Sequence, residues 1–289
     1  MPDPWKEIAE AVARATGMRF EVERHAPTGG GSINRAAVIE GAGQTYFVKL
    51  NQASRLAMFE AESEGLAEIA ATGTVRVPNA ICHGTSGTDA FLVLEFLELK
   101  PGDELQATRL GEQLARLHQH TGKRFGWHRD NTLGTTPQPN DWASDWVAFL
   151  RGQRLEHQLR LLDDPGMSEL AEPVLERLPE CFVRYSPEPS LIHGDLWGGN
   201  WSGSKGGQPV IFDPAVNYAD REMEIAMTEL FGGFPDSFRL AYEDAWPLDE
   251  GYEKRKPLYL LYHVLNHANL FGGGYLAQAR RLLEQLRRS

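Results

Sequence analysis

The segment Ser190-Leu191-Ile192-His193-Gly194-Asp195-Leu196-Trp197-Gly198-Gly199-Asn200, followed by Val210-Ile211-Phe212-Asp213-Pro214, constrains this chain more than any other. Apolar Leu191-Ile192 and Pro209-Val210-Ile211-Phe212 predict two short buried strands, with the Gly-rich turn Gly203-Ser204-Lys205-Gly206-Gly207 between them. Around these strands sit a carboxylate in a tight loop, an amide five residues on, and a second carboxylate closing an apolar run. Phosphoryl transfer from ATP asks for such an arrangement. One Asp receives the acceptor hydroxyl's proton, while an Asn and another Asp hold Mg²⁺. Asp195 is therefore the candidate base, and Asn200 and Asp213 are the candidate metal ligands. The plainer alternative is a polar hairpin whose Asp and Asn only make local turn hydrogen bonds.

Upstream, Asp3-Pro4 reads as a helix start and Gly17 as its stop, with Trp5, Ile8, Val12 and Ala15 as the apolar stripe. Short β-like runs follow at Arg19 to His25, Ala36 to Glu40 and Gln44 to Leu50, the last two joined by Gly41-Ala42-Gly43. Between the first two runs, Gly29, Gly30, Gly31 and Ser32 form a loop able to approach phosphates and present backbone N–H groups. It is not a Walker loop, because no Gly-Lys-Ser/Thr follows and no helix begins there. Lys49 ends the next strand. In the following helix Met58, Phe59, Leu66 and Ile69 define an apolar face, and Glu62 lies on it. A carboxylate in an apolar stripe is expensive unless paired, and Lys49 is the expected partner for positioning ATP phosphates. Val75 to Pro78 and the nearly continuous apolar run Phe91 to Leu97 complete the β-rich part. Backbone groups near Glu95 and Leu97 are expected to meet an adenine edge.

From Pro101 onwards helices dominate. Leu110, Leu114 and Leu117 mark one helix, with His118 read as a packed structural histidine. Asp141 to Leu162 reads as a long helix whose Trp142, Trp146 and Phe149 are core. Asp220 is expected to cap a helix bearing Met223, Ala226, Met227 and Leu230. Leu258 to Leu270 is apolar nearly all round, yet carries His263, Asn266, His267 and Asn269, which either satisfy neighbouring loops or line an acceptor pocket. A net charge of -11 argues against a nucleic-acid surface. Cys82 and Cys181 stand far apart in no metal spacing, no secretory leader is read, and no apolar run is long enough to span a bilayer. The expectation is a cytoplasmic protein that binds neither nucleic acid nor membrane, with a monomer favoured.

The order Gly-rich hairpin, strand Lys, helix Glu, hinge-like strand, HGDLWGGN and FDP resembles the protein-kinase-like fold of small-molecule kinases. Within it the chain is similar to the fructosamine kinase (ketosamine kinase) family. Trp197 after His193-Gly194-Asp195-Leu196 resembles that family's loop, as do the run Asn131 to Asn140 with Trp142, Tyr218 to Glu222, and Leu265 to Gly273. The resemblance implies a two-lobed α+β fold: a small antiparallel-sheet, ATP-binding lobe over 1–97, and a mainly helical lobe over 98–289 with the catalytic loop and acceptor site. It implies ATP- and Mg²⁺-dependent phosphorylation of a ketosamine's 3-hydroxyl, in protein deglycation. Asp195 matches the base, Asn200 and Asp213 the Mg²⁺ ligands, and Lys49 and Glu62 the phosphate-positioning pair. Trp197 is expected as a wall of the sugar site, and His267 as a further acceptor-side residue. Two departures stand out. Ser32 occupies a position where some members carry Cys, and Glu224 replaces the Asp with which related kinases brace the catalytic loop. The rivals are an aminoglycoside- or choline-type acceptor on the same scaffold, and a non-catalytic nucleotide-binding protein.

Overall fold

The computed structural model describes residues 4–29 and 33–288. By packing, the chain divides into two units, Met1–Gly102 with Ser202–Pro214, and Asp103–Trp201 with Ala215–Ser289. The second segment of the first unit follows the His193–Asn200 loop in sequence. It joins the first unit because strand β10 (Trp201–Ser204) pairs with β6 (Leu99–Lys100), and because the Ile211 N–H donates to Arg76 O at 3.0 Å. Strand β11 (Pro209–Ile211) is the third member of that small sheet, in the order β11-β10-β6. The predicted pair of strands is thus split. β11 belongs here, whereas β9 (Ser190–Ile192) pairs with β12 (Asn217–Ala219) in the other unit.

The first unit is built on an antiparallel sheet of β1 (Arg24–Thr28), β2 (Arg35–Gly41), β3 (Gln44–Gln52), β4 (Ala80–Ser86) and β5 (Asp89–Glu95), in the order β1-β2-β3-β5-β4. Ala42 and Gly43, with φ of 49° and 73°, make the tight turn between β2 and β3. The twofold alternation of β3 decides the geometry of the site. Val48 and Leu50 pack with Ile8 and Val12 of helix α1 (Pro4–Thr16), and Lys49 points to the opposite face. Helix α2 (Leu56–Ala71) buries Met58, Phe59, Leu66 and Ile69, and Glu62 with them. Three local expectations differ. Residues 19–23 are not a strand, because Phe20 turns inward to lie edge-on to Tyr46. Ala15 of α1 is exposed, and Ala9 and Ala11 are buried instead. The 75–78 run contributes only a bridge from Arg76 to Val210, and the edge strand is β4, whose sequence shows no alternation.

The second unit is mainly helical. Helix α3 (Glu104–His118) opens with a capping box between Asp103 and Gln106. After the hairpin β7 (Asn131–Leu133) and β8 (Thr136–Gln138) comes a helix that begins at Trp146, not at Asp141. Residues before it stay extended because Phe125 and Ala143 exchange backbone hydrogen bonds, and Asp145 then caps the Ala148 N–H. Trp146 and Phe149 are core as expected, but Trp142 is 38% exposed and lies under the Arg124 guanidinium. This helix runs as α4 (Trp146–Phe149), a π-helical stretch Leu150–Leu155, and α5 (Glu156–Leu162). Helices α6 (Pro165–Glu176), α7 (Arg221–Leu230), α8 (Asp236–Ala245), α9 (Tyr252–Phe271) and α10 (Gly274–Leu286) complete the unit. Asp220 caps α7 as expected, accepting the Glu222 N–H. Both cysteines are free thiols, and among the described residues no helix is long and apolar enough to cross a membrane.

Candidate active site

In the first unit, Lys49 is 5% exposed and its ammonium sits between two carboxylates, Glu62 Oε1 at 2.5 Å and Asp213 Oδ1 at 2.6 Å. Burial alone would lower the lysine's pKa. The two carboxylates outweigh it and hold the ammonium protonated, above its ordinary value. Glu62 is the more deeply buried partner, and the Asp213 side chain remains 39% exposed. Asp213 also carries a backbone cost. Its φ is +60°, a left-handed conformation that a non-glycine residue adopts at about 1–2 kcal/mol. Strain of this kind collects where a side chain must be aimed.

The other residues expected around a nucleotide are less uniform. The Glu95 carboxylate receives Arg76 Nη2 at 2.5 Å on each oxygen, and the Glu95 N–H donates to Asn79 O at 2.8 Å. That N–H is therefore already spent within the sheet, and Leu97 lies half-buried beyond the strand's end. Gly29 is exposed coil at the end of β1. Gly30, Gly31 and Ser32 lie outside the described residues.

In the second unit the His193–Asn200 loop leaves β9 and is gripped from below. Glu224 of α7 accepts the His193 N–H on Oε2 at 2.9 Å and the Gly194 N–H on Oε1 at 2.6 Å. Its Oε2 also receives His118 Nε2 at 3.0 Å, and His118 Nδ1 meets the Tyr242 hydroxyl at 2.8 Å. Arg221 Nη1 donates to that hydroxyl at 3.0 Å. Burial would raise the Glu224 carboxyl, but these donors overcome it and hold the group below the ordinary carboxylate range. Burial keeps His118 neutral, with its pKa lowered. The longer Glu thus reaches the loop, and His118 is its hydrogen-bonded support.

The loop is held on its other side by 215–217. Ala215 N–H donates to His193 O at 2.8 Å. Gln138 and Asn217 both donate to Ala215 O, and Asn131 to Val216 O. Arg154 enters this amide network from the π-helical stretch, donating to Asn140 Oδ1 at 2.7 Å and Asn217 Oδ1 at 3.1 Å. Widened helical turns are frequent near functional sites, and this one places a fully buried cation behind the loop. Gly194 has φ +85°, and a Cβ there would stand 2.2 Å from Ala215 O. Gly194→Ala is expected to cost at least about 2 kcal/mol and to lower turnover with it. An unchanged melting temperature and kcat would show that the loop is not so constrained.

Within the grip, Asn200 Nδ2 donates to Asp195 O at 2.8 Å and to Asp195 Oδ2 at 3.3 Å. Asn200 is thereby turned so that its carbonyl oxygen is the group left to offer. The Asp195 side chain is only partly buried, and Trp197, 40% exposed, stands edge-on to Phe231. Phe231 in turn packs on His267, with ring centroids 4.7 Å apart. Of the other polar groups on α9, Asn269 donates to Gln158 and Asn266 accepts from it, so both serve helix packing. His263 is buried, which pushes its imidazole down to about 3.

A lysine held between two carboxylates on an antiparallel sheet, and an Asp-Asn loop braced by a buried glutamate, mark an alcohol phosphotransferase of the protein-kinase-like kind. The fructosamine kinase family model matches residues 4–289. A Synechocystis protein named "Probable ketoamine kinase" is 46% identical over 98% of this chain and 97% of its own. The chloroplastic protein-ribulosamine 3-kinase of Arabidopsis thaliana is 38% identical over 98% of this chain and 87% of its own. A solved structure of a candidate fructosamine-3-kinase from Haemophilus somnus superimposes with a TM-score of 0.90 at 31% identity, covering 98% of this chain and 97% of that one. The chain belongs to the fructosamine kinase family.

Proposed function

We propose that this protein is an ATP-dependent ketosamine kinase that places phosphate on the sugar 3-hydroxyl of fructosamine- or ribulosamine-type adducts, serving protein deglycation in the cytoplasm. The observation that carries the reading is the braced loop, which presents a partly exposed Asp195 carboxylate two residues from an exposed Trp197. Asp195 orients the acceptor hydroxyl and takes its proton as the oxygen attacks the γ-phosphate. Trp197 offers its face to the C–H surface of the sugar, and His267 lies on the acceptor side.

The first unit supplies the nucleotide side. In this reading Lys49, kept charged by Glu62 and Asp213, meets phosphate oxygens, and the Glu95 carbonyl and the Leu97 backbone meet the base. The loop from Gly29 to Ser32 covers the phosphates in this reading. In this reading Mg²⁺ would take a carboxylate oxygen from Asp213 and the amide oxygen of Asn200, whose Nδ2 is engaged with Asp195. Hard oxygen ligands in small number, completed by phosphates, are how this ion is usually held. When bound, it neutralises phosphate charge.

Lys49→Met is expected to lower kcat/KM for ATP by about 10²–10³-fold, read by steady-state kinetics at varied ATP. A change below threefold would remove Lys49 from the phosphate site. Phosphorus–proton NMR of the product from ribulosyl-lysine tests the reaction itself. Phosphate on the 3-hydroxyl is expected, and phosphate elsewhere on the sugar would contradict it.

A further inference from the structure

Several large rings near the His193–Asn200 loop are not buried. Trp197 is 40% exposed, Phe231 37% and Phe271 54%. Phe231 stands nearly perpendicular to two neighbours, Trp197 at 82° and Tyr275 at 89°, with centroids 6.3 Å away in both cases. His267 packs against both Phe231 and Tyr275, with ring centroids 4.7 and 5.1 Å away. The rings are fixed to the loop by backbone contact. A Cβ on Gly198 would lie 2.7 Å from Gly232 O, and a Cβ on Gly199 would lie 2.2 Å from the Trp197 ring. The turn carrying Phe231 is therefore pressed directly on the loop that carries Asp195, and the indole lies across Gly199.

We propose that Trp197, Phe231, Tyr275 and His267 form an aromatic corner that binds the protonated amine of the ketosamine, selecting acceptors that carry an ammonium beside the sugar. Trp197 and Phe231 keep 40% and 37% of their surface exposed, and the exposed face of an aromatic ring is electron-rich and suited to a cation. His267 adds a directed acceptor. Its Nδ1 faces His263 O at 2.8 Å and so carries the hydrogen. Burial lowers its pKa, so the ring stays neutral and Nε2 keeps a lone pair for an ammonium N–H. The substrate's connectivity agrees, because the amine is on carbon 1 and the reacting hydroxyl on carbon 3. A group binding the nitrogen must therefore lie close to Asp195, and Trp197 is two residues along the same loop. This inference rests on the ketosamine reading above and adds to it which part of the substrate is recognised, and by what.

The test compares fructosyl-lysine with its N-acetylated form, whose nitrogen is a neutral amide, in the wild type and in Phe231→Leu and Tyr275→Leu. The leucines keep apolar bulk and remove the ring. A cation–π contact predicts that each variant raises KM for fructosyl-lysine about 3- to 30-fold. KM for the acetylated compound should hold, and kcat should change little for either. Equal rises for both compounds, or no rise for either, would overturn the aromatic corner while leaving the kinase assignment standing. Where ribulosyl-lysine is the ketosamine turned over, the same comparison is made with it and its N-acetylated form; no turnover of either ketosamine by the wild type would overturn the ketosamine reading, and the corner with it.

Discussion

Asp195→Asn is expected to fold normally and to lose about 10²–10⁴-fold in kcat, the usual contribution of a positioned general base. The fold should survive because the substituted side chain is nearly isosteric, keeps an oxygen for the Asn200 Nδ2, and leaves the loop's main backbone support in place. That support comes from Glu224, Ala215 and the Asn200 amide, and the Asn200 bond to the Asp195 backbone oxygen is untouched by the change. Substrate affinities should also hold, since Lys49 and the aromatic rings are unaltered. The measurement is steady-state kinetics beside a thermal melt. A variant with near-normal kcat would remove Asp195 from the role of base, and a variant that melts early would mean that the loss of rate reflects the fold.

Glu224→Ala should have the largest effect on stability. It strips the acceptor from the His193 and Gly194 N–H groups and from His118, all buried. Unpaired buried donors cost about 1–3 kcal/mol each, and the linked set is expected to lose about 3–5 kcal/mol. The melting temperature should fall by on the order of 10 °C. Turnover should fall as well, because the loop would no longer be held, while KM for ATP changes little. Glu224→Gln adds a pH signature. The folded Glu224 carboxyl lies below its ordinary value of 4.5, so its contribution is complete above that pH. It is lost as pH falls through the lower folded value, where the unfolded chain already holds the proton. The stability gap between wild type and Glu224→Gln should therefore be widest near neutrality and close on the acid side. A gap independent of pH would mean that Glu224 is not the ionised brace.

Much of the first unit was legible because its signals are local. Glu62 stands on an apolar face, where a carboxylate needs a partner, and the alternation of β3 aims Lys49 at that face. Asp213 as the second partner of Lys49 was not legible. The two are 164 residues apart, and the contact needs a left-handed backbone that no residue pattern announces. Glu224 was visible as a departure from the usual Asp, but its setting depends on His118, 106 residues away at the end of α3, whose imidazole meets its carboxylate. β4 escaped notice because an edge strand with mixed exposure has no alternation. The helix expected from Asp141 starts at Trp146, because the bridge from Phe125 to Ala143 holds the chain extended. The aromatic corner draws its rings from three distant segments, so spacing could not assemble it. Trp197 and His267 were singled out separately, and Phe231 is what joins them.

The most direct test of the central claim is ATP consumption by the purified protein with Mg²⁺, offered ribulosyl-lysine, fructosyl-lysine, an aminoglycoside and choline in parallel. Turnover confined to the two ketosamines is the predicted result. Turnover with the aminoglycoside or choline alone would keep the fold and the phosphoryl chemistry but contradict the assigned substrate.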